Sequence, residues 1–98
     1  MQPPPTLAFL RAQREIILAL AEHYGATDIR VFGSVARGQA TPDSDIDLVA
    51  RFRPHSLLDR IALMRELSAL LGFPVEVVQE KSLKSHVRAN ALKDAVPL

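Results

Sequence analysis

Apolar positions recur every three to four residues over 7–24, with Leu10, Ile17, Leu20 and Tyr24 on one face and Arg11, Arg14, Glu15 and Glu22 mostly off it. That period predicts an amphipathic helix, with Thr6 placed to cap its start and Gly25 to end it. Residues 1–5 hold three successive prolines and read as a stiff, extended lead-in. Residues 29–32 are a short β-branched and aromatic run, hence a strand. Gly33 interrupts it, residues 34–37 suit one or two helical turns, and the Gly-, Pro-, Asp- and Ser-rich residues 38–44 read as a loop. Over 45–52 the pattern alternates. Ile46, Leu48, Ala50 and Phe52 point one way and Asp45, Asp47, Val49 and Arg51 the other, which predicts a second strand that Pro54 ends. Ser56 followed by Asp59 resembles a capping box for a helix running to Leu71, with Leu57, Ile61, Met64, Leu67 and Leu71 as its apolar face and Gly72 closing it. Residues 75–79 read as a third strand and 83–95 as a last helix ended by Pro97. The expected fold class is α+β, with a small mixed β-sheet, helices packed on one side and the Asp45/Asp47 side left open.

At 98 residues the chain fits one domain, and residues 1–98 are read as such. A chain of this size buries roughly 65% of its unfolded surface, enough for one core. Apolar residues at 48% and charged residues at 23% argue against a disordered chain. The absence of Cys excludes disulfides, a thiolate zinc site and a cysteine nucleophile. Twelve basic against eleven acidic residues, a formal charge of +1, give no bulk case for nucleic-acid binding. No apolar run reaches membrane-spanning length and the N-terminus lacks a signal-peptide pattern, so the cytoplasm is the expected location.

The chemistry concentrates in residues 33–48, GSVARGQATPDSDIDL. Gly33 and Ser34 sit where a strand gives way to a helix, a place that offers backbone N–H groups to a phosphate. The same pair also fits a plain turn with an N-cap serine. Asp45 and Asp47, two apart on a strand, project from one face. Two adjacent ionised carboxylates are costly unless a cation sits between them, and hard oxygen ligands of this kind suit Mg²⁺ shared with substrate phosphates. A solvated strand edge is the plainer alternative, weakened by Ile46, Leu48 and Val49 around the pair. Glu76 lies in an otherwise apolar strand. Buried there it would need a partner or a metal, and beside the Asp45–Asp47 strand it would complete a three-carboxylate metal site; strand alternation toward solvent is the alternative. Arg37 either neutralises phosphate charge or pairs with Asp45 or Asp47.

Gly33-Ser34, ten residues, then Asp45-x-Asp47 resembles the signature of the polymerase-β-like nucleotidyltransferase superfamily. Phe32-Gly-Ser-Val-Ala-Arg-Gly38 and Ser44-Asp-Ile-Asp-Leu48 are similar to its minimal nucleotidyltransferase (MNT) branch, and the likeness covers most of the chain. The resemblance implies an antitoxin that partners a HEPN-domain toxin in a hetero-oligomer. It also implies an Mg²⁺-dependent enzyme, with two ions, that moves AMP from ATP to a hydroxyl of that toxin, a tyrosine. By the same resemblance Asp45, Asp47 and Glu76 are the catalytic and metal-binding carboxylates, Glu76 standing where many relatives have Asp. Gly33 and Ser34 hold the triphosphate, and Arg37, Gly38 and Ser44 join them on the nucleotide side. With no room for a second domain, the site is expected to be open and completed by the partner.

Two other readings stand beside this one. A binding antitoxin would neutralise by occlusion and survive Asp47→Asn. A small-molecule nucleotidyltransferase subunit, modifying an antibiotic, would need no helical partner. A polymerase role finds no basic track or stacking aromatics. His23, His55 and His86 lack metal spacing, Tyr24 and the four Phe fit packing, and Arg51 and Arg53 read as a solvated strand end. On the last helix Lys84, Arg88 and Lys93 read as the solvated face, and Val87, Ala91 and Leu92 as the side for the core or a partner.

Overall fold

The computed structural model describes residues 2–53 and 57–98, apart from the side chains of residues 85, 87, 88 and 91. Thr6 caps the first helix, α1 (Leu7–Ala12), as its pattern predicts: its hydroxyl oxygen accepts from the Phe9 N–H at 3.0 Å. The expected single helix is two. The chain turns at Gln13 (φ −113°, ψ 18°) before α2 (Arg14–His23). The break lets α1 and α2 dock separately. Phe9 meets Phe73 edge to face at 5.9 Å and Leu10 is fully buried, while Ile17 and Ala21 of α2 bury against the sheet. No glycine or proline marks that break in the sequence.

Strand β1 (Ala26–Phe32) starts three residues earlier than its β-branched run and carries an irregularity between Thr27 and Arg30, where Asp28 takes φ +54°. The short helix α3 (Gly33–Ala36) follows at once, then β2 (Ile46–Phe52), α4 (Leu57–Leu71) and β3 (Val75–Gln79). The chain closes through a 3₁₀ turn (Glu80–Ser82), α5 (Ser85–Lys93) and β4 (Val96–Pro97). The last helix is therefore shorter than its expected span. Val96 and Pro97 pair antiparallel with Val31 and Arg30, and Leu98 is buried in the core. The Ser56 cap, Pro54 and His55 lie outside the described residues, and so do the side chains of Arg88, Val87 and Ala91.

The sheet is mixed, in the order β3-β2-β1-β4. β1 is antiparallel to both neighbours, and β2 and β3 run parallel through the α4 crossover. One face holds the core: Ile29, Val31, Ile46, Leu48, Ala50, Phe52, Val75 and Val77 join Leu10, Ile17, Ala21, Leu63, Leu67 and Leu71 from α1, α2 and α4. One expectation changes here. On α4 the buried stripe is Leu63, Leu67 and Leu71, while Leu57 and Ile61, assigned to the apolar face, are 59% and 37% exposed. Pro5, at the end of the stiff lead-in, is fully buried, and the Gln2 side chain donates to the Gly72 carbonyl at 2.9 Å. The opposite face of the sheet is left to Arg30, Phe32, Asp47, Val49, Glu76 and their neighbours. No described helix is long and apolar enough to cross a membrane.

Candidate functional site

The turn from β1 into α3 and the start of β2 meet on the open face. Phe32 pairs across to Asp47, so Gly33 lands directly over the Asp47 carboxylate. Gly33 has φ +74°, and a Cβ built on it would stand 2.5 Å from Asp47 Oδ2. Only glycine fits both the backbone conformation and the space. From there α3 begins, and the N–H groups of its first turn have no intrahelical carbonyl to bond. Ser34 lies half-buried on that turn. Its carbonyl accepts from the Gln39 N–H at 2.9 Å, which ties the following loop to the turn.

On the other side, β3 pairs with β2 in parallel register with Asp47 opposite Glu76. Strand alternation turns Glu76 to solvent, on the same face as Asp47. The lone buried carboxylate considered from the sequence is therefore an exposed one, and its place beside Asp47 comes from register. Asp45 is also exposed, one residue ahead of β2. Asp47 is half-buried. Its carboxyl is pushed above the ordinary range first by that burial and then by the charges of Asp45 and Glu76, with Arg37 pulling weakly the other way.

Asp45, Asp47 and Glu76 thus share one electrostatic neighbourhood. Among the described residues, however, no three Asp, Glu, His or Cys side chains stand where they could hold a metal ion together. The expected three-carboxylate site is thus not preassembled among the described residues. The donors nonetheless suit a hard cation: they are carboxylate oxygens that repel one another, with the Gly33 turn lying directly against Asp47. Mg²⁺ ordinarily takes one or two protein carboxylates and completes its shell with phosphates and water.

The remaining expected nucleotide contacts separate. Arg37 forms no ion pair with Asp45 or Asp47. Its Nε donates to Gln39 Oε1 at 3.2 Å and its Nη1 lies 3.7 Å from Asp94 Oδ2, at the end of α5. Gly38 takes φ +70° with open space around its Cα. The Ser44 hydroxyl is occupied in its own loop, where its Oγ accepts from the Thr41 N–H at 2.8 Å; it shapes the approach to Asp45.

The sequence reading also missed a charge cluster at the far end of the same face. Glu80 is 4% exposed, with Oε1 2.7 Å from Arg30 Nη2 and Oε2 2.8 Å from Arg51 Nε. The two arginines hold its carboxyl below the usual glutamate range. Arg51 was read as a solvated strand end and is this cluster's outer member. Arg53 likewise donates to the Glu22 carbonyl at 3.1 Å. The signal was the spacing Glu76, Val78, Glu80, which continues one face of β3 beyond its apolar run.

The family model described as "Nucleotidyltransferase domain" matches residues 13–98. A Thermococcus cleftensis protein named protein adenylyltransferase MntA is 44% identical over 78 residues, covering 79% of each chain. A solved structure assigned as a minimal nucleotidyltransferase superposes with a TM-score of 0.84 at 46% identity, covering 95% of this chain and 96% of that one. A tri-AMPylated HEPN toxin in complex with MNT antitoxin, from Shewanella oneidensis, contains the same fold at a TM-score of 0.68 and 18% identity, covering 89% of this chain and 69% of that one.

Proposed function

Because this chain belongs to the nucleotidyltransferase domain family, we propose that it is a protein adenylyltransferase that moves AMP from ATP to a tyrosine hydroxyl of a HEPN-domain toxin, and so acts as that toxin's antitoxin in the cytoplasm. That it is a nucleotidyltransferase follows from the family. The acceptor and the antitoxin role rest on the named relative and on what the fold neighbour contains.

The observation that carries the reading is the side-chain-free turn at Gly33, set in direct contact with the half-buried Asp47 carboxylate, with the charges of Asp45 and Glu76 alongside. In this reading the Gly33–Ser34 turn takes the triphosphate on its backbone N–H groups and the Ser34 hydroxyl. Arg37 leaves Gln39 and Asp94 to meet phosphate charge. Asp45 and Asp47 would hold Mg²⁺ together with phosphate oxygens, and when bound the ion supplies charge neutralisation and a more acidic attacking hydroxyl. The acceptor oxygen bonds to the α-phosphorus, the bond to pyrophosphate breaks, and the Glu76 carboxylate takes the hydroxyl proton. Positioning and charge stabilisation supply most of the rate.

The test is the intact mass of a HEPN-domain protein from the same source as this chain, after incubation with Mg-ATP and either wild type or Asp47→Asn. AMP-sized additions with wild type and none with the variant are expected. A second reading, neutralisation by occlusion alone, draws on the absence of a ready-made three-ligand metal set among the described residues. An unmodified partner that Asp47→Asn still neutralises would establish it in place of the first.

A further inference from the structure

Helix α4 carries a buried apolar stripe and, beside it, a second one that the fold covers only in part: Met64 packs against the core while Leu57 and Ile61 stay exposed. Leu63, Leu67 and Leu71 are buried. Leu57, Ile61, Met64 and Ser68, spaced four, three and four, run down a second stripe roughly 100° away around the helix, with Arg65 beside it. Leu57, Leu58 and Ile61 are three of the four exposed large hydrophobics among the described residues. Toward its C-terminal end this stripe walls a groove of about 430 Å³, lined by Ile61, Met64, Arg65, Ser68, Val75 and Glu76.

Three features select an occupant. Glu76 belongs both to the groove and to the carboxylate site, so whatever fills the groove lies against the site's open side. The groove's other wall is the sheet's edge strand β3, and two of its outward backbone groups are already taken. The Val75 N–H donates to Ser68 Oγ at 3.0 Å, that hydroxyl donates to the Met64 carbonyl, and Arg60 Nη1 donates to the Val77 carbonyl at 2.9 Å. An added strand therefore meets an interrupted ladder, which favours recognition by side chains. Arg65 is exposed and makes no ion pair among the described residues, which places one cation at the groove's rim.

We propose that this groove seats the acceptor protein, taking an apolar side chain on Ile61 and Met64 and a carboxylate on Arg65, so that the hydroxyl-bearing residue of the same segment reaches the site past Glu76. The proposal rests on the adenylyltransferase reading above and specifies how that acceptor is held. Groups that anchor a partner in this way are few and lie at the centre of the contact.

The experiment uses the full chain and a HEPN-domain protein from the same source. Ile61→Glu and Arg65→Glu are compared with wild type and with Ile16→Glu, an exposed apolar position on α2 outside the groove. Circular dichroism and thermal melts confirm that each variant folds. Both groove variants are expected to raise the dissociation constant of the complex about ten-fold or more, and the KM for the acceptor by a similar factor. The kcat at saturating acceptor and the KM for ATP stay unchanged, and Ile16→Glu behaves as wild type. Dissociation constants and acceptor KM within about two-fold of wild type overturn the groove whether or not AMP is transferred. A wild type that binds the partner without transferring AMP removes the enzymatic reading and leaves the dissociation constants to decide the groove. Loss confined to self-association in sedimentation overturns it in favour of contact between copies, and neither complex nor transfer in the wild type overturns both.

Discussion

Replacing Gly33 with alanine separates what the backbone contributes to the site from what the carboxylates contribute. The residue sits at φ +74°, where a side chain on an L-residue costs roughly 1–2 kcal/mol. In a domain of this length that lowers the melting temperature by roughly 4–10 °C. The second effect is local. The new methyl would stand 2.5 Å from Asp47 Oδ2 and 3.3 Å from its Cγ, so the carboxylate must retreat by about 1 Å to reach ordinary contact distance. A displacement of that size in a catalytic group costs on the order of 10²-fold in rate. Thermal unfolding reads the first effect and AMP transfer to the partner reads the second. A double-mutant cycle separates them: in an Asp47→Ala background the clash is gone and only the backbone cost of Gly33→Ala remains. An alanine variant that melts with the wild type and transfers AMP at a comparable rate would refute both the left-handed turn and the close approach.

Four other outcomes follow from the same structure. Glu80→Ala, which strands Arg30 and Arg51, should lower unfolding free energy by roughly 2–3 kcal/mol in chemical denaturation, the half-exposed Arg51 accounting for the smaller part. Because the folded protein holds Glu80 below its ordinary value of 4.5, its contribution is complete above that pH and drains away as the pH falls below it. The stability gap between wild type and Glu80→Gln should therefore close between neutral pH and acid; a constant gap would show that the arginines do not favour the charged form. Asp47→Asn should melt above wild type at neutral pH, since burial and then Asp45 and Glu76 disfavour the ionised carboxylate, and the advantage should vanish in acid once the aspartate is protonated. Leu67→Ala should cost roughly 2–5 kcal/mol and Leu58→Ala less than about 0.5 kcal/mol, and equal costs would contradict the assigned buried face of α4.

Much of the site was legible because it is local. The alternation over β2 put Asp47 on the face opposite Ile46 and Leu48, and the glycine after the β1 run marked the turn above it. β3 ran over the residues its valines predict. Periodicity reports such features because each depends only on neighbours along the chain. Tertiary packing decided the rest. Helix α4 is apolar around much of its circumference, so only contact with the sheet could choose Leu63, Leu67 and Leu71 over Leu57 and Ile61. Glu76 gained its place beside Asp47 from the parallel register, and Glu80 found Arg30 and Arg51 across 50 and 29 residues of sequence. Val96 and Leu98 close the sheet and core at the end of the chain, where two residues are too few to show a strand's alternation. The chain's own pattern thus determined which residues are candidates for the chemistry and which way their strand turns them. Long-range pairing, which leaves no periodic trace, decided which of them meet.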